Sequence, residues 1–196
     1  MSYERKDRYY RKAKAEGLRS RAAFKLDDLD RHLLCPGDRV LDLGCWPGGW
    51  LQVAGSRVGV QGKVVGIDVR PCDPISQAQV TVLQGDVTDP AVLDAAAGML
   101  GGLADVVLSD MAPQLSGVRD RDEARASALV RAALSVVDRM LREGGSFVCK
   151  VFMNSDYAPL LAEARARFAD VHATRSQATR KGSAELYWLA RGFRRR

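Results

Sequence analysis

From Pro36-Gly37 onward the chain alternates short apolar runs with longer amphipathic stretches. RVLDLG (39–44), KVVGID (63–68), VTVLQGD (80–86), ADVVLSD (104–110) and SFVCKVF (146–152) are short apolar runs and read as buried strands. Between them, Gly48 to Arg57, Pro90 to Leu100, Glu123 to Leu141 and Tyr157 to Phe168 read as helices, the second with proline at its start. Glu143-Gly144-Gly145 reads as a turn. Two closing strands, 169–174 and 185–190, leave no room for a helix between them, so the last connection is antiparallel. The pattern predicts an α/β fold with a mostly parallel, doubly wound sheet and an antiparallel last strand. The least ordered stretches are expected at 112–120, at 175–183 and in the Arg-rich tail.

Ahead of this lies a different segment. Residues 1–32 read as helical with a break at Gly17. The second part, SRAAFKLDDLDRHL, offers Ser20 as a cap and Ala23, Phe24, Leu26 and Leu29 as an apolar stripe. The expected organisation is one structural domain: a basic N-terminal helical segment, 1–32, and a body, 33–196.

Charge changes the picture. Net charge is +6 over 196 residues, but residues 1–21 carry +5 and residues 172–196 carry +6, which leaves the middle at −5. Basic ends on an acidic body suit a phosphate-binding surface built from the termini. Arg5, Lys6, Arg8, Arg11, Lys12 and Lys14 form one patch, interleaved with Tyr3, Tyr9 and Tyr10. Arg194, Arg195 and Arg196 form another, with Arg175, Arg180 and Lys181 expected along the cleft. No apolar run reaches membrane-spanning length, and the N-terminus lacks an apolar stretch for a signal peptide. The expected location is the cytoplasm. Cys35, Cys45, Cys72 and Cys149 show no metal spacing, and His32 and His172 stand far apart, so no metal is expected.

In such sheets ligands bind at the carboxyl ends of the strands. There the chain places Asp42-Leu43-Gly44-Cys45-Trp46-Pro47-Gly48-Gly49-Trp50, then Asp68, then Gly85-Asp86, then Ser109-Asp110. The glycines let the backbone approach a ligand closely. Asp68 suits a pair of ribose hydroxyls, and Asp86 can reach an adenine amino group. A spaced GxGxxG is absent. Acids on successive strand ends repel a pyrophosphate but suit a cationic sulfonium nucleoside such as S-adenosylmethionine.

Segments SRAAFKLDDLD, VLDLGCWPGGWLQ, GIDVRPCDPI, LQGDV, VLSDMAPQLSG, GGSFVCKVF and SAELYWLA, in this order, resemble the FtsJ-type (RrmJ-type) ribose 2′-O-methyltransferases across nearly the whole chain. Cys45-Trp46 departs from the small residues usual there. The resemblance implies a Rossmann-like class I methyltransferase domain using S-adenosylmethionine. It implies a catalytic set of Lys25, Asp110, Lys150 and Glu185, and cofactor contacts at Gly48, Trp50, Asp68, Asp86 and Asp110. It further implies methylation of a uridine ribose in large-subunit ribosomal RNA, with the large subunit as partner and the enzyme expected as a monomer. Relatives act on transfer RNA or messenger caps.

Such a reaction is an in-line displacement on an already activated methyl group. Lys150 serves as base when its amine is neutral; desolvation and Lys25 favour that state, while Asp110 and Glu185 favour the ammonium. The alternative is a positioning cation. Two other readings compete: a dinucleotide-dependent oxidoreductase on a similar sheet, and a non-catalytic RNA-binding assembly factor.

Overall fold

The structure is a computed structural model that describes residues 8–29, 32–179 and 182–195. Tyr3, Arg5, Lys6, Arg180, Lys181 and Arg196, assigned above to basic patches, lie outside these residues. In chain order the elements are α1 (Arg8–Ala15), α2 (Ala22–Leu29), β1 (Arg39–Leu43), α3 (Gly49–Val58), β2 (Lys63–Asp68), β3 (Val80–Gln84) and α4 (Pro90–Leu100). They continue with β4 (Ala104–Ser109), α5 (Arg119–Met140), β5 (Leu141–Phe152), α6 (Tyr157–Arg165), β6 (Phe168–Thr174) and β7 (Glu185–Phe193).

The seven strands form one sheet in the order β3-β2-β1-β4-β5-β7-β6. β1 to β5 run parallel, and β7 is antiparallel to both neighbours. Alternation along each strand sorts the core into two layers. Leu41, Leu43, Val65 and Val107 face one core with Leu93, Leu134 and Val137. Val40, Val64, Val106 and Val148 face the other with Leu26, Trp50, Leu51 and Tyr187.

The differences from expectation have local causes. α5 begins at Arg119, four residues before the first expected helical position. Its start is set by Asp122, which accepts hydrogen bonds from Ser116 N (2.7 Å), Ser116 Oγ (2.8 Å) and Gly117 N (3.1 Å). The expected 143–145 turn is an irregularity within β5: Ala104 pairs with Leu141 and Val106 with Ser146. α6 stops at Arg165, and Phe168 opens β6. Ser20 does not cap α2 through its side chain; its hydroxyl is buried without a hydrogen-bond partner among the described residues. The first turn is held instead by Ala23 N on Ser20 O and Phe24 N on Arg21 O. Gly17 does break the N-terminal segment, at φ +69°. No helix among the described residues is long and apolar enough to cross a membrane.

Candidate active site

The carboxyl ends of β1, β2, β3 and β4 open onto a cleft of about 850 Å³. Gly44, Trp46, Asp68, Asp86, Asp110 and Met111 are among its walls. Asp68 is held by both oxygens: Oδ2 accepts from Trp46 N (2.9 Å) and Oδ1 from Arg70 N (2.8 Å). Asp86 takes two hydrogen bonds on Oδ1, from Thr88 N (2.8 Å) and Thr88 Oγ1 (2.7 Å). These bonds hold its carboxyl below the usual carboxylate range. Under the cleft, Asp42 is fully buried and neither carboxylate oxygen has a partner among the described residues. Burial, then the charges of Asp110 and Asp68, push its carboxyl well up. Arg70 stacks on the indole of Trp46 at 4.8 Å, and Trp46 stays 48% exposed.

Gly48, on the turn before α3, and Trp50, the second residue of α3, are not in the lining of this cleft. Gly48 has φ +107°, and a side chain there would press on Ile75 and Arg19. Arg19 ties the turn down through its guanidinium, donating to Asp73 O (2.5 Å), Pro74 O (2.6 Å) and Pro47 O (3.4 Å). Trp50 is buried, its Nε1 donating to Ala22 O at 2.7 Å and its ring 6.0 Å from that of Tyr187. It thereby fixes α2, which carries Lys25, against the site.

The four polar residues Lys25, Asp110, Lys150 and Glu185 meet beside the cleft; of the four, Asp110 lines it and the other three do not. They come from α2, the residue after β4, β5 and the first residue of β7. Lys150 Nζ donates to Asp110 O at 2.5 Å and pairs with Asp110 Oδ1 at 3.0 Å. Lys25 Nζ pairs with Glu185 Oε1 at 2.6 Å. The two pairs are joined by a residue that sequence reasoning left unassigned. Tyr187 OH receives a hydrogen bond from Lys25 Nζ (3.0 Å) and lies 2.9 Å from Asp110 Oδ1 and 3.0 Å from Glu185 Oε1. Burial, then the two carboxylate charges, pushes the phenol pKa up, so the hydroxyl keeps its proton. The sheet explains the convergence: Tyr187 pairs across from Lys150, and Glu185 stands two residues before Tyr187 on the same face. That two-residue spacing was the available sequence signal.

Both lysines have side chains under a tenth exposed. A buried lysine is rare unless paired. Here each lysine nitrogen has a carboxylate, and a protonated phenol links the two pairs. Such a cluster can hold a hydroxyl group and manage its proton beside an acid-lined nucleoside cleft. Among the described residues no group of three or more His, Cys, Asp or Glu is placed to hold a metal ion.

The chain is similar to known proteins in sequence and in fold. A ribosomal RNA large subunit methyltransferase E from Methanothrix thermoacetophila is 47% identical over 97% of this chain and 74% of its own length. Another so named, from Hahella chejuensis, is 45% identical over 96% of this chain and 92% of its own. The crystal structure of a ribosomal RNA methyltransferase from Plasmodium falciparum superposes with a TM-score of 0.79 at 28% identity, covering 91% of this chain and all of that one. Residues 18–193 match the FtsJ-like methyltransferase family, and the chain belongs to it.

Proposed function

We propose that this protein transfers a methyl group from S-adenosylmethionine to a ribose 2′-hydroxyl of RNA, a uridine of large-subunit ribosomal RNA, as a cytoplasmic monomer. The observation that carries the reading is the buried Lys150 paired with Asp110, which lines an acidic cleft. The names of the relatives support the choice of RNA.

The residues present fit the cofactor. Asp68 suits its ribose hydroxyls and Asp86 its adenine amine, while the acids Asp68, Asp86 and Asp110 give the cleft a negative field that attracts a cation. When bound, S-adenosylmethionine supplies a methyl group activated on a sulfonium. Lys150 Nζ takes the proton of the ribose hydroxyl and aligns its oxygen. The Asp110 carbonyl and carboxylate stabilise the ammonium that results. Lys25, Tyr187 and Glu185 form the wall against which the ribose is held. Residues 1–32 serve as the RNA-binding segment. Arg8, Arg11, Lys12 and Lys14 of α1 are exposed and suit phosphate contacts.

The test is transfer of tritiated methyl to large ribosomal subunits from cells lacking the gene. The expected label sits on ribose, and Lys150→Ala abolishes it. Lys150→Arg also abolishes it, because a guanidinium cannot accept the proton; activity in that variant would make Lys150 a positioning cation. Transfer to transfer RNA instead would move the substrate assignment. Cofactor binding without transfer to any RNA would favour an assembly factor.

A further inference from the structure

Glu185 receives a third donor that no motif predicts. Thr179 Oγ1 lies 3.2 Å from Glu185 Oε1, the oxygen that also takes Lys25 Nζ and Tyr187 OH. Thr179 sits between β6 and β7 and is fixed by its surroundings. Its N–H donates to Ser176 O at 3.0 Å. Ser176 Oγ donates to Asp28 Oδ2 at 2.9 Å and accepts from Ala178 N at 3.0 Å; Ala178 N also approaches Asp28 Oδ2 at 3.3 Å. Asp28 is on α2, three residues after Lys25. Ser176 and Ala178 are buried, and Ala178 packs with Phe24 of α2 and Ala13 of α1. The loop is thus latched to the helix that carries Lys25, while its hydroxyl reaches the carboxylate that pairs with Lys25.

We propose that Thr179, held by the Asp28–Ser176 latch, is a positioning residue for methyl transfer: its hydroxyl fixes the Glu185 carboxylate, which aims Lys25. This rests on the functional reading above. A carboxylate oxygen with three donors has little rotational freedom, whereas one bound only by a flexible lysine and by a phenol shared with Asp110 can turn. Loss of the hydroxyl therefore misplaces Lys25 without removing any group of the site. Because α1 rests on Phe24 and Ala178, RNA held by α1 is referenced to the same latch.

The test compares Thr179→Val, Thr179→Ser and Asp28→Asn with wild type. Two readouts are used: methyl transfer to large subunits, and acylation of Lys25 by an amine-reactive ester, followed by mass spectrometry with exposed Lys63 as internal control. Thr179→Val and Asp28→Asn are expected to lower kcat about tenfold at unchanged affinity for S-adenosylhomocysteine. Lys25 acylation is expected to rise about tenfold at constant Lys63 labelling, and Thr179→Ser to restore both to within about twofold of wild type. Unchanged Lys25 labelling and kcat in Thr179→Val overturn the proposal. So does a loss that Thr179→Ser fails to rescue, since that marks packing of the threonine methyl. An inactive wild type would sink the methyltransferase reading instead, and the acylation comparison would still decide whether Thr179 holds the Glu185–Lys25 pair.

Discussion

One hydroxyl proton on Tyr187 serves two carboxylates, and the arrangement works because Lys25 donates to the same oxygen. Tyr187→Phe keeps the buried ring and removes the shared hydroxyl. It leaves both carboxylates short of a donor and is expected to lower kcat/KM about tenfold, or about 1.4 kcal/mol, with cofactor affinity retained. Wild-type kcat/KM in this variant would reduce Tyr187 to packing. Asp42 behaves in the opposite sense. An unfolded aspartate ionises near 3.8, and the buried one titrates well above that. Between those values the native state holds the extra proton, so stability falls as pH rises. Asp42→Asn cannot ionise. It is expected to match wild type near about pH 4 and to melt about 2–4 °C higher near about pH 8. A melting difference independent of pH would show that the carboxyl's charge is not the cause.

The contact of α2 with α3 decides where Lys25 lies. A Cβ on Gly49 would come within 2.3 Å of Ser20 Oγ and 3.3 Å of Ala23 N, so the glycine sets the spacing between the N-terminal segment and the cofactor turn. Gly49→Ala is expected to push α2 outward, to destabilise by about 1–3 kcal/mol and to reduce activity further than stability alone explains. Adding Ser20→Gly, which removes the nearer clash, is expected to restore part of the melting temperature; no recovery would place the strain elsewhere. At this scale much was legible in advance. The strands end where Gly and Asp interrupt apolar runs, and the sheet follows from strand and helix alternation. The start of α5 was not legible, because its first turn, Arg119 to Asp122, is wholly charged and carries no apolar period. Nor was the irregularity in β5, where Gly144-Gly145 reads as a turn although the strand continues through it. The four polar residues of the site were found through motifs, since Lys25 and Glu185 are ordinary surface types when read singly. Asp28 and Thr179 carry no motif signal: they are linked through Ser176 only because a loop some 150 residues downstream, by the separation of Asp28 and Ala178, folds onto α2.

Across the molecule, charge is segregated by function. The cleft is acidic, whereas α1 is basic and exposed on its Arg8, Arg11, Lys12 and Lys14 positions. Affinity for RNA should then follow phosphate contacts and their counterions. Neutralising Arg11 and Lys14 together is expected to reduce the slope of log affinity against log salt by about 1.5, with kcat at saturating RNA unchanged. A slope equal to that of wild type would move the RNA to another face. The sheet order has a separate consequence, for the time at which activity arises. β7 follows every other strand in the chain yet is inserted between β5 and β6. The lining of the cleft comes from the ends of β1 to β4 and from α5, all of which precede β7 in the chain. Glu185 and Tyr187, by contrast, arrive with β7, and Glu185 must find Lys25 across 160 residues. Contacts so distant in sequence form late in folding. The nascent chain is therefore expected to complete the lining of the cleft before Glu185 and Tyr187 join it, with the threading of one strand between two others as the closing step.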